Sequence, residues 1–381
     1  MKTDVIIIGA GPAGSACVMA LKDAGLNIVW IDKATFPRDK VCGDAIPSNV
    51  QRVLKSIDGS LNEKFLQHFT EKVQVEGCRF IAPDKTSFDL SFVTKGHAAK
   101  RLHFDHFLFN MAKECNSHVS FIGDASVESI VNSATDVTVR LADGRTIEGQ
   151  VIVGCDGANS IVRKNLAQPF INKKENIAAV RAYYSNVADL EHKMLEIHII
   201  KGYMPGYFWI FPLPENQSNV GFGMVNRFIT NRRIDLKEAL KEIIHKDKAI
   251  SPRFSQATID GVISGFGLPC GGRKNPISGQ RILLCGDAAS LINPATGEGI
   301  GNAMISGRMA ALHIINSFQA NNFTQSFNVQ YDNMVYSKLL GDLRIQHWLQ
   351  RITADREWLI NFALKHVSNN NWIRQKVRKF F

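Results

Sequence analysis

An apolar tetrad, Val5-Ile6-Ile7-Ile8, runs directly into Gly9-Ala10-Gly11-Pro12-Ala13-Gly14, and this junction constrains the fold more than any other feature of the chain. A short apolar run ending in glycine predicts a strand buried on both faces, as at the centre of a parallel sheet. Gly9 permits the tight turn, Gly11 lets a pyrophosphate approach the backbone, and Gly14 lets the next helix lie close to the strand with its positive N-terminal end toward the phosphates. Pro12 and Ala13 complete that turn. Apolar positions recur from Ala16 to Leu21, Ala24-Gly25 marks a turn, and a second strand, Ile28-Val29-Trp30-Ile31, ends in Asp32, where an acidic side chain binds ribose hydroxyls. Lys33 follows it.

The chain has 381 residues, enough for two or three lobes, and its 45% apolar and 21% charged content is that of a folded globular protein. No apolar stretch reaches membrane-spanning length, and no export signal precedes the first strand. The cysteines at 17, 42, 78, 115, 155, 270 and 285 follow no regular spacing, so the expectation is a reducing cytoplasm without a disulfide framework. A net charge of +10 admits anionic substrates or an anionic membrane surface; nucleic acid is not expected, because no module for it is visible. His97, His103 and His106 lack companions at ligand spacing, so no metal is expected.

Two further segments repeat the strand-to-turn theme. Val151-Ile152-Val153-Gly154 leads through Cys155 into Asp156-Gly157, with Arg163 beyond; Arg281 to Cys285 leads into Gly286-Asp287, followed by Gly297-Glu298-Gly299-Ile300 and a helix that runs to about Ser317. In each, an apolar strand delivers an aspartate and free amides to a turn that can meet a ribose or pyrophosphate.

The three segments, in this order and at these separations, resemble the flavoprotein superfamily that shares the fold of p-hydroxybenzoate hydroxylase. The resemblance implies an FAD cofactor. It places Asp287 at the ribityl or ribose region and the helix from Gly299 and Ile300 with its N-terminus toward the flavin pyrimidine ring. Lys100-Arg101-Leu102-His103-Phe104-Asp105 matches the superfamily's Arg-x-x-Phe-Asp segment, which puts Arg101 beside the cofactor.

Tyr207-Phe208-Trp209-Ile210-Phe211-Pro212, followed by Gly221-Phe222-Gly223, resembles the aromatic box of the geranylgeranyl reductases. In a strand, Tyr207, Trp209 and Phe211 project from one face as a wall suited to a long apolar chain, with Gly221 and Gly223 leaving room for it. The family's proline stands three residues before the tyrosine; here Met204 occupies that place and Pro205 follows. Pro37-Arg38-Asp39-Lys40-Val41-Cys42-Gly43-Asp44 resembles the same family's cysteine segment. It implies Cys42 and Gly43 near the flavin, with Arg38 and Lys40 as neighbours that favour a thiolate. Cys42 is then a proton donor, a substrate-positioning group or an inert thiol.

The expected fold is α/β: a Rossmann-like FAD-binding domain assembled from residues 1–72, 97–168 and 271–318, an inserted, mostly antiparallel β substrate domain (73–96 and 169–270), and a helical C-terminal segment (319–381). Ile345, Trp348, Leu349 and Ile352 follow helical spacing, and Trp372, Ile373, Val377, Phe380 and Phe381 alternate with Arg374, Lys376, Arg378 and Lys379. That tail is either a packed cap or a peripheral contact with an anionic membrane at its inner face. The expected activity is FAD-dependent reduction of carbon–carbon double bonds in an isoprenoid or similar lipid, with electrons from NAD(P)H or ferredoxin. The alternatives are an FAD-dependent monooxygenase or halogenase and a non-catalytic lipid-binding protein.

Overall fold

The computed structural model describes residues 1–166 and 172–369. The boundary expected at 168–169 and the aromatic, basic tail from Trp372 to Phe381 lie outside the described residues.

The tetrad Val5–Ile8 is a strand in which every residue is buried, at the middle of a six-stranded sheet. Its neighbours are Ile28–Ile31 on one side and Val151–Gly154 on the other, both parallel and in register, with Val5 opposite Ile28 and Val151. Val119–Ile122 and Ile282–Leu284 extend the parallel order outward, and Ser278–Gly279 closes one edge antiparallel. All three motif-bearing strands are thus adjacent, and their turns emerge at one end, where α/β sheets bind ligands.

The helix Pro12–Ala20 is buried from Pro12 to Met19, so it has no solvent face; the sheet lies on one side, and Arg101–Cys115 and Ile300–Gln319 pack against it. Its approach to the last helix is close enough that a Cβ at Gly307 would stand 2.1 Å from the Ala13 carbonyl oxygen. A three-stranded sheet, Val127–Asn132, Val137–Leu141 and Thr146–Gly149, sits beside this lobe, bridged through Lys2 and Glu148.

The second lobe is an eight-stranded sheet. Its order is Thr258–Leu268, Ile177–Ser185, Gln217–Val225, Gly206–Leu213, Met194–His198, Val73–Ile81, Ser87–Ala98 and Ala45–Ile46, antiparallel except where Met194–His198 runs parallel to Val73–Ile81. One face buries Phe208, Ile210, Val220 and Phe222 against Leu240, Ile243 and Ile244 of the helix Leu236–Lys246. The other face buries Val75, Tyr183, Trp209, Phe211 and Leu213. This period-two division is why the aromatic residues of one strand serve two cores. The mixed α/β fold, with its sheet-based nucleotide-binding lobe, is the class expected from the sequence.

Helices Gln325–Thr353 and Glu357–Asn369 complete the described chain. The first is capped by Thr324, whose hydroxyl accepts from the Phe327 amide, and it buries Tyr331, Val335, Leu339 and Leu343. No described helix is long and apolar enough to cross a membrane.

Candidate active site

Three glycine motifs converge on one point. Gly9 has φ +104°, and a Cβ there would lie 2.2 Å from the Cys155 carbonyl oxygen, so the first turn touches the backbone just before Asp156. A Cβ at Gly286 (φ +56°) would lie 2.9 Å from Ala303 Cβ and 3.7 Å from Ala13 Cβ, which brings the third turn against the first turns of both long helices. A Cβ at Gly14 would lie 2.0 Å from the Gly9 carbonyl oxygen, the close helix–strand packing expected of it. Gly11 differs: a Cβ there would meet only the mobile end of Arg38, at 3.3 Å from Nη2. No packing demand explains this glycine, and the space above it suits a pyrophosphate.

The carboxylates are held for binding. Asp32 is buried; its Oδ2 accepts from the Ala10 amide at 2.6 Å and its Oδ1 from the Ala34 amide at 2.9 Å, while Lys33 beside it is exposed. Asp156 Oδ2 accepts from the Ile161 and Val162 amides, leaving its buried Oδ1 without a partner, and Gly157 (φ +77°) opens onto free space. Arg163, which the sequence aimed at a ribose or phosphate, instead donates to the Ala158 carbonyl at 2.5 Å and the Ala288 carbonyl at 2.9 Å. Its buried guanidinium staples the Asp156 turn to the Asp287 turn, because a buried cation needs acceptors on every donor.

Lys40 Nζ donates to Asp287 Oδ2 at 2.8 Å, and Asp287 Oδ1 lies 3.6 Å from the Cβ position of Gly299, beside the start of the helix Ile300–Gln319. Gly11 and Gly299, the residues that precede Pro12–Ala20 and this helix, have no side chain to cap them, so free amides and a positive dipole end remain at each N-terminus, although one amide of the second helix is taken by Glu298. Glu298 Oε1 accepts from the Gly301 amide at 2.7 Å; burial, which that amide opposes and the Asp287 charge reinforces, pushes its carboxyl up to about 7. Gly301 leaves room for the Asn49 side chain, which would overlap any Cβ there.

The segment around Cys42 is tied into this cluster in a way the sequence did not show. Arg38 and Lys40 do not serve Cys42: Arg38 donates to Asp105 Oδ2 at 2.8 Å, and Lys40 is taken by Asp287. The cation that reaches Cys42 is Arg101, which also grips Asp105 through Nε and Nη2 at 2.6 and 2.7 Å. Burial works against the Arg101 charge, but Asp105 and then Cys42 outweigh it and its pKa is raised.

The aromatic residues Tyr207, Trp209 and Phe211 face this segment. Ring centroids step 5.8 Å from Tyr207 to Trp209 and 6.1 Å on to Phe211, and a Cβ at Gly43 would stand 3.3 Å from the Phe211 ring and 3.6 Å from Trp209 Nε1. Trp209 and Phe211 are buried, and Tyr207 donates its hydroxyl to the Thr296 carbonyl beside Gly297 (φ +70°). The wall therefore joins the Cys42 loop to the loop that leads into Gly299. Gly221 differs from its expected use. It pairs across the hairpin with Trp209, and a Cβ there would lie 2.1 Å from the indole Cζ2, so the room it leaves is filled by tryptophan. Gly223, opposite Tyr207, would bring its Cβ 3.2 Å from Ala179 Cβ.

Sequence reasoning missed Asp44, Asn219 and Tyr183. Asn219 Oδ1 accepts from Trp209 Nε1 at 2.8 Å, and its Nδ2 donates to the Cys42 carbonyl at 2.7 Å and to Asp44 Oδ2 at 2.8 Å. Tyr183 donates to the same Asp44 oxygen at 2.9 Å, and the Arg101 amide approaches Oδ1 at 3.3 Å. Burial pushes the Asp44 carboxyl up to about 6 against these donors and the nearby Arg181. Its φ of +66° is a second sign of a constrained position. The one available signal was that Asn219, Gly221 and Gly223 alternate on the strand opposite the aromatic wall.

FAD fits these residues. The open face of Gly11, the unpartnered Asp156 oxygen, the uncapped N-terminus of Pro12–Ala20 and the carboxylates of Asp32 and Asp287 are what a dinucleotide's pyrophosphate and ribose hydroxyls require.

Residues 2–315 match the family described as FAD binding domain. A menaquinone reductase of Mycobacterium tuberculosis is 31% identical over 326 residues, covering 81% of this chain and 76% of that protein. A digeranylgeranylglycerophospholipid reductase of Methanocella arvoryzae is 27% identical over 381 residues, covering 96% and 88%. Among solved structures, a geranylgeranyl bacteriochlorophyll reductase-like protein of Thermoplasma acidophilum superposes with a TM-score of 0.79 at 20% identity, over 98% of this chain and 95% of that one. A flavin-dependent brominase gives 0.80 at 21%, over 100% and 93%; these two likenesses show the fold and do not separate reduction from halogenation. With most of its length matched and its motif turns converged on one dinucleotide site, the chain belongs to the FAD-binding-domain family and is an FAD-dependent oxidoreductase.

Proposed function

We propose that the protein reduces carbon–carbon double bonds in a long-chain isoprenoid lipid. The observation that carries this reading is the aromatic face of Tyr207, Trp209 and Phe211 set against the Cys42–Gly43 loop and linked through Tyr207 to the Thr296–Gly297 loop. A stepped apolar wall orients a flexible chain without reading a polar group, which suits an alkene and gives little purchase to a small hydroxylated ring. The relatives whose names carry lipid or quinone substrates support the same class.

When bound, reduced FAD supplies the hydride. Asp32, Arg38, Asp156 and Asp287 would hold the dinucleotide, and the amides of the Gly11 and Gly299 turns would favour its anionic groups. Trp209, fixed by Asn219, positions the alkene, and Cys42, held beside Arg101, provides the proton for the second carbon. Electrons reach the site from NAD(P)H bound transiently or from ferredoxin. The tail from Trp372 to Phe381, outside the described residues, is the segment whose composition fits a membrane surface.

The test is anaerobic titration of dithionite-reduced protein with a geranylgeranyl lipid. The reading expects the oxidised flavin spectrum to return in proportion to added lipid, and not with the fully saturated analogue. Reoxidation by oxygen alone, with hydroxylated or halogenated product, sinks it.

A further inference from the structure

The end of the helix Gln325–Thr353 leaves the core while its side chains stay apolar. Up to Leu343 its inner residues are buried, but Ile345, Trp348 and Leu349 are 45%, 60% and 40% exposed. Beyond the turn at residues 354–356, Trp358 and Phe362 on the helix Glu357–Asn369 are 68% and 54% exposed. Single exposed apolar residues are ordinary, but two tryptophans and three other large apolar side chains on two consecutive helices mark an interaction surface.

The surroundings decide which partner. Arg344, Arg351, Arg356 and Lys365 are exposed on or next to these helices. Of the acids nearby, Asp355 is engaged by Arg232, Glu357 meets the Gly202 amide at 3.4 Å, and Asp342 is exposed two residues before Arg344. Tryptophan beside lysine and arginine is the composition of a membrane–water interface, where the indole sits among headgroups and the cations meet anionic lipid. A second copy of this chain would set two positive rims against each other.

The location adds a reason for such a surface. Gly272 would bring a Cβ 3.0 Å from His347 Cβ, so the first of these helices lies against the segment leading to the third motif. Gln350 donates to the Pro294 carbonyl, two residues before Thr296, whose carbonyl accepts from Tyr207.

We propose that these two helices dock the enzyme on an anionic lipid bilayer, with Trp348 and Trp358 as interfacial anchors, the first of them beside the loop that touches the aromatic wall. The proposal rests on the lipid-substrate reading. Docked in this way, the protein receives an isoprenoid chain from the bilayer at the loop that carries Pro294 and Thr296.

The experiment is flotation of the FAD-loaded full chain with phosphatidylcholine vesicles, with and without phosphatidylglycerol, combined with quenching by brominated lipid in a Trp372→Phe background. The expected result is binding that needs phosphatidylglycerol, weakens with salt, and falls at least about tenfold in Trp348→Ser/Trp358→Ser with the flavin spectrum unchanged. Trp348→Phe/Trp358→Phe should keep binding and lose the quenching. Docking is overturned if the serine variant binds as wild type does, if Trp372→Phe alone abolishes quenching, if the serine variant turns a sedimenting dimer into a monomer, or if it sheds FAD or melts early. Each of the last three names another occupant: the tail, a second copy, or the protein's own core. Turnover of detergent-dispersed lipid separates the two readings. Reduction without vesicle binding removes the docking alone, and vesicle binding without reduction of any isoprenoid removes the function.

Discussion

Gly11 and Gly14 are three residues apart, yet the structure gives them opposite consequences. A Cβ at Gly14 would meet backbone at 2.0 Å, whereas one at Gly11 would meet only the end of Arg38 at 3.3 Å. Compared as apoproteins, Gly11→Val should melt close to wild type and yet fail to retain FAD, while Gly14→Val should yield little folded protein. A Gly11→Val protein that purifies yellow contradicts the assignment of this turn to the pyrophosphate. Asp44 supplies a pH dependence. Its folded carboxyl keeps a proton up to about pH 6 instead of 3.8, so between these values the folded state binds more protons than the unfolded chain, and this group's contribution makes stability fall as pH rises. The fall amounts to at most about 3 kcal/mol. Asp44→Asn should flatten that part of the curve, measured by denaturant melts from pH 4 to 7, and an unchanged slope would assign the titration elsewhere. Motif residues such as Asp32, Asp156 and Asp287 were legible because each follows an apolar strand within three residues. Asp44 was not, because its partners Tyr183 and Asn219 lie 139 and 175 residues away in sequence.

The hairpin of Gly206–Leu213 and Gln217–Val225 shows what an element adds to its residues. Alternation in the sequence correctly put Tyr207, Trp209 and Phe211 on one face, but it could not say that the indole of Trp209 would lie across Gly221 and be pinned by Asn219. Trp209→Ala removes a buried ring from above a glycine that cannot fill the gap, which should cost about 3–5 kcal/mol. The freed position over the substrate should also lower the reduction rate on the order of a hundredfold. Gly221→Ala should show the same defect from the other side, since its Cβ would meet the indole at 2.1 Å and the Val180 carbonyl at 2.5 Å. A kinetic assay of both variants at full FAD occupancy checks this; wild-type rates in both would mean that the wall does not position substrate. The helices Asn49–Ile57 and Gly59–His68 and the three-stranded sheet carried no motif and went unassigned to elements, since short amphipathic pieces without phosphate or aromatic signatures do not announce their partners.

At the scale of the molecule, three strands separated by more than a hundred residues each become sheet neighbours, and this is why order and spacing of motifs could be read as one site before any contact was known. Parallel neighbours need crossovers, so the chain between motifs is free to build the eight-stranded sheet that brings Trp209 and Asn219 to the Cys42 loop. That inter-lobe junction was invisible in sequence, because it depends on how two sheets face each other rather than on either pattern alone. The same junction joins the FAD chemistry to an apolar wall, and the nature of the product tests that union most directly. Reduced protein should be mixed anaerobically with a geranylgeranyl lipid in deuterated water and the product weighed. The account predicts two deuteriums added across a double bond for each flavin reoxidised, because the reduced flavin's N–H and the thiol both exchange with solvent, with Cys42→Ser slowing the step while FAD stays bound. A product that gains oxygen or halide, and forms only when air is admitted, would contradict it.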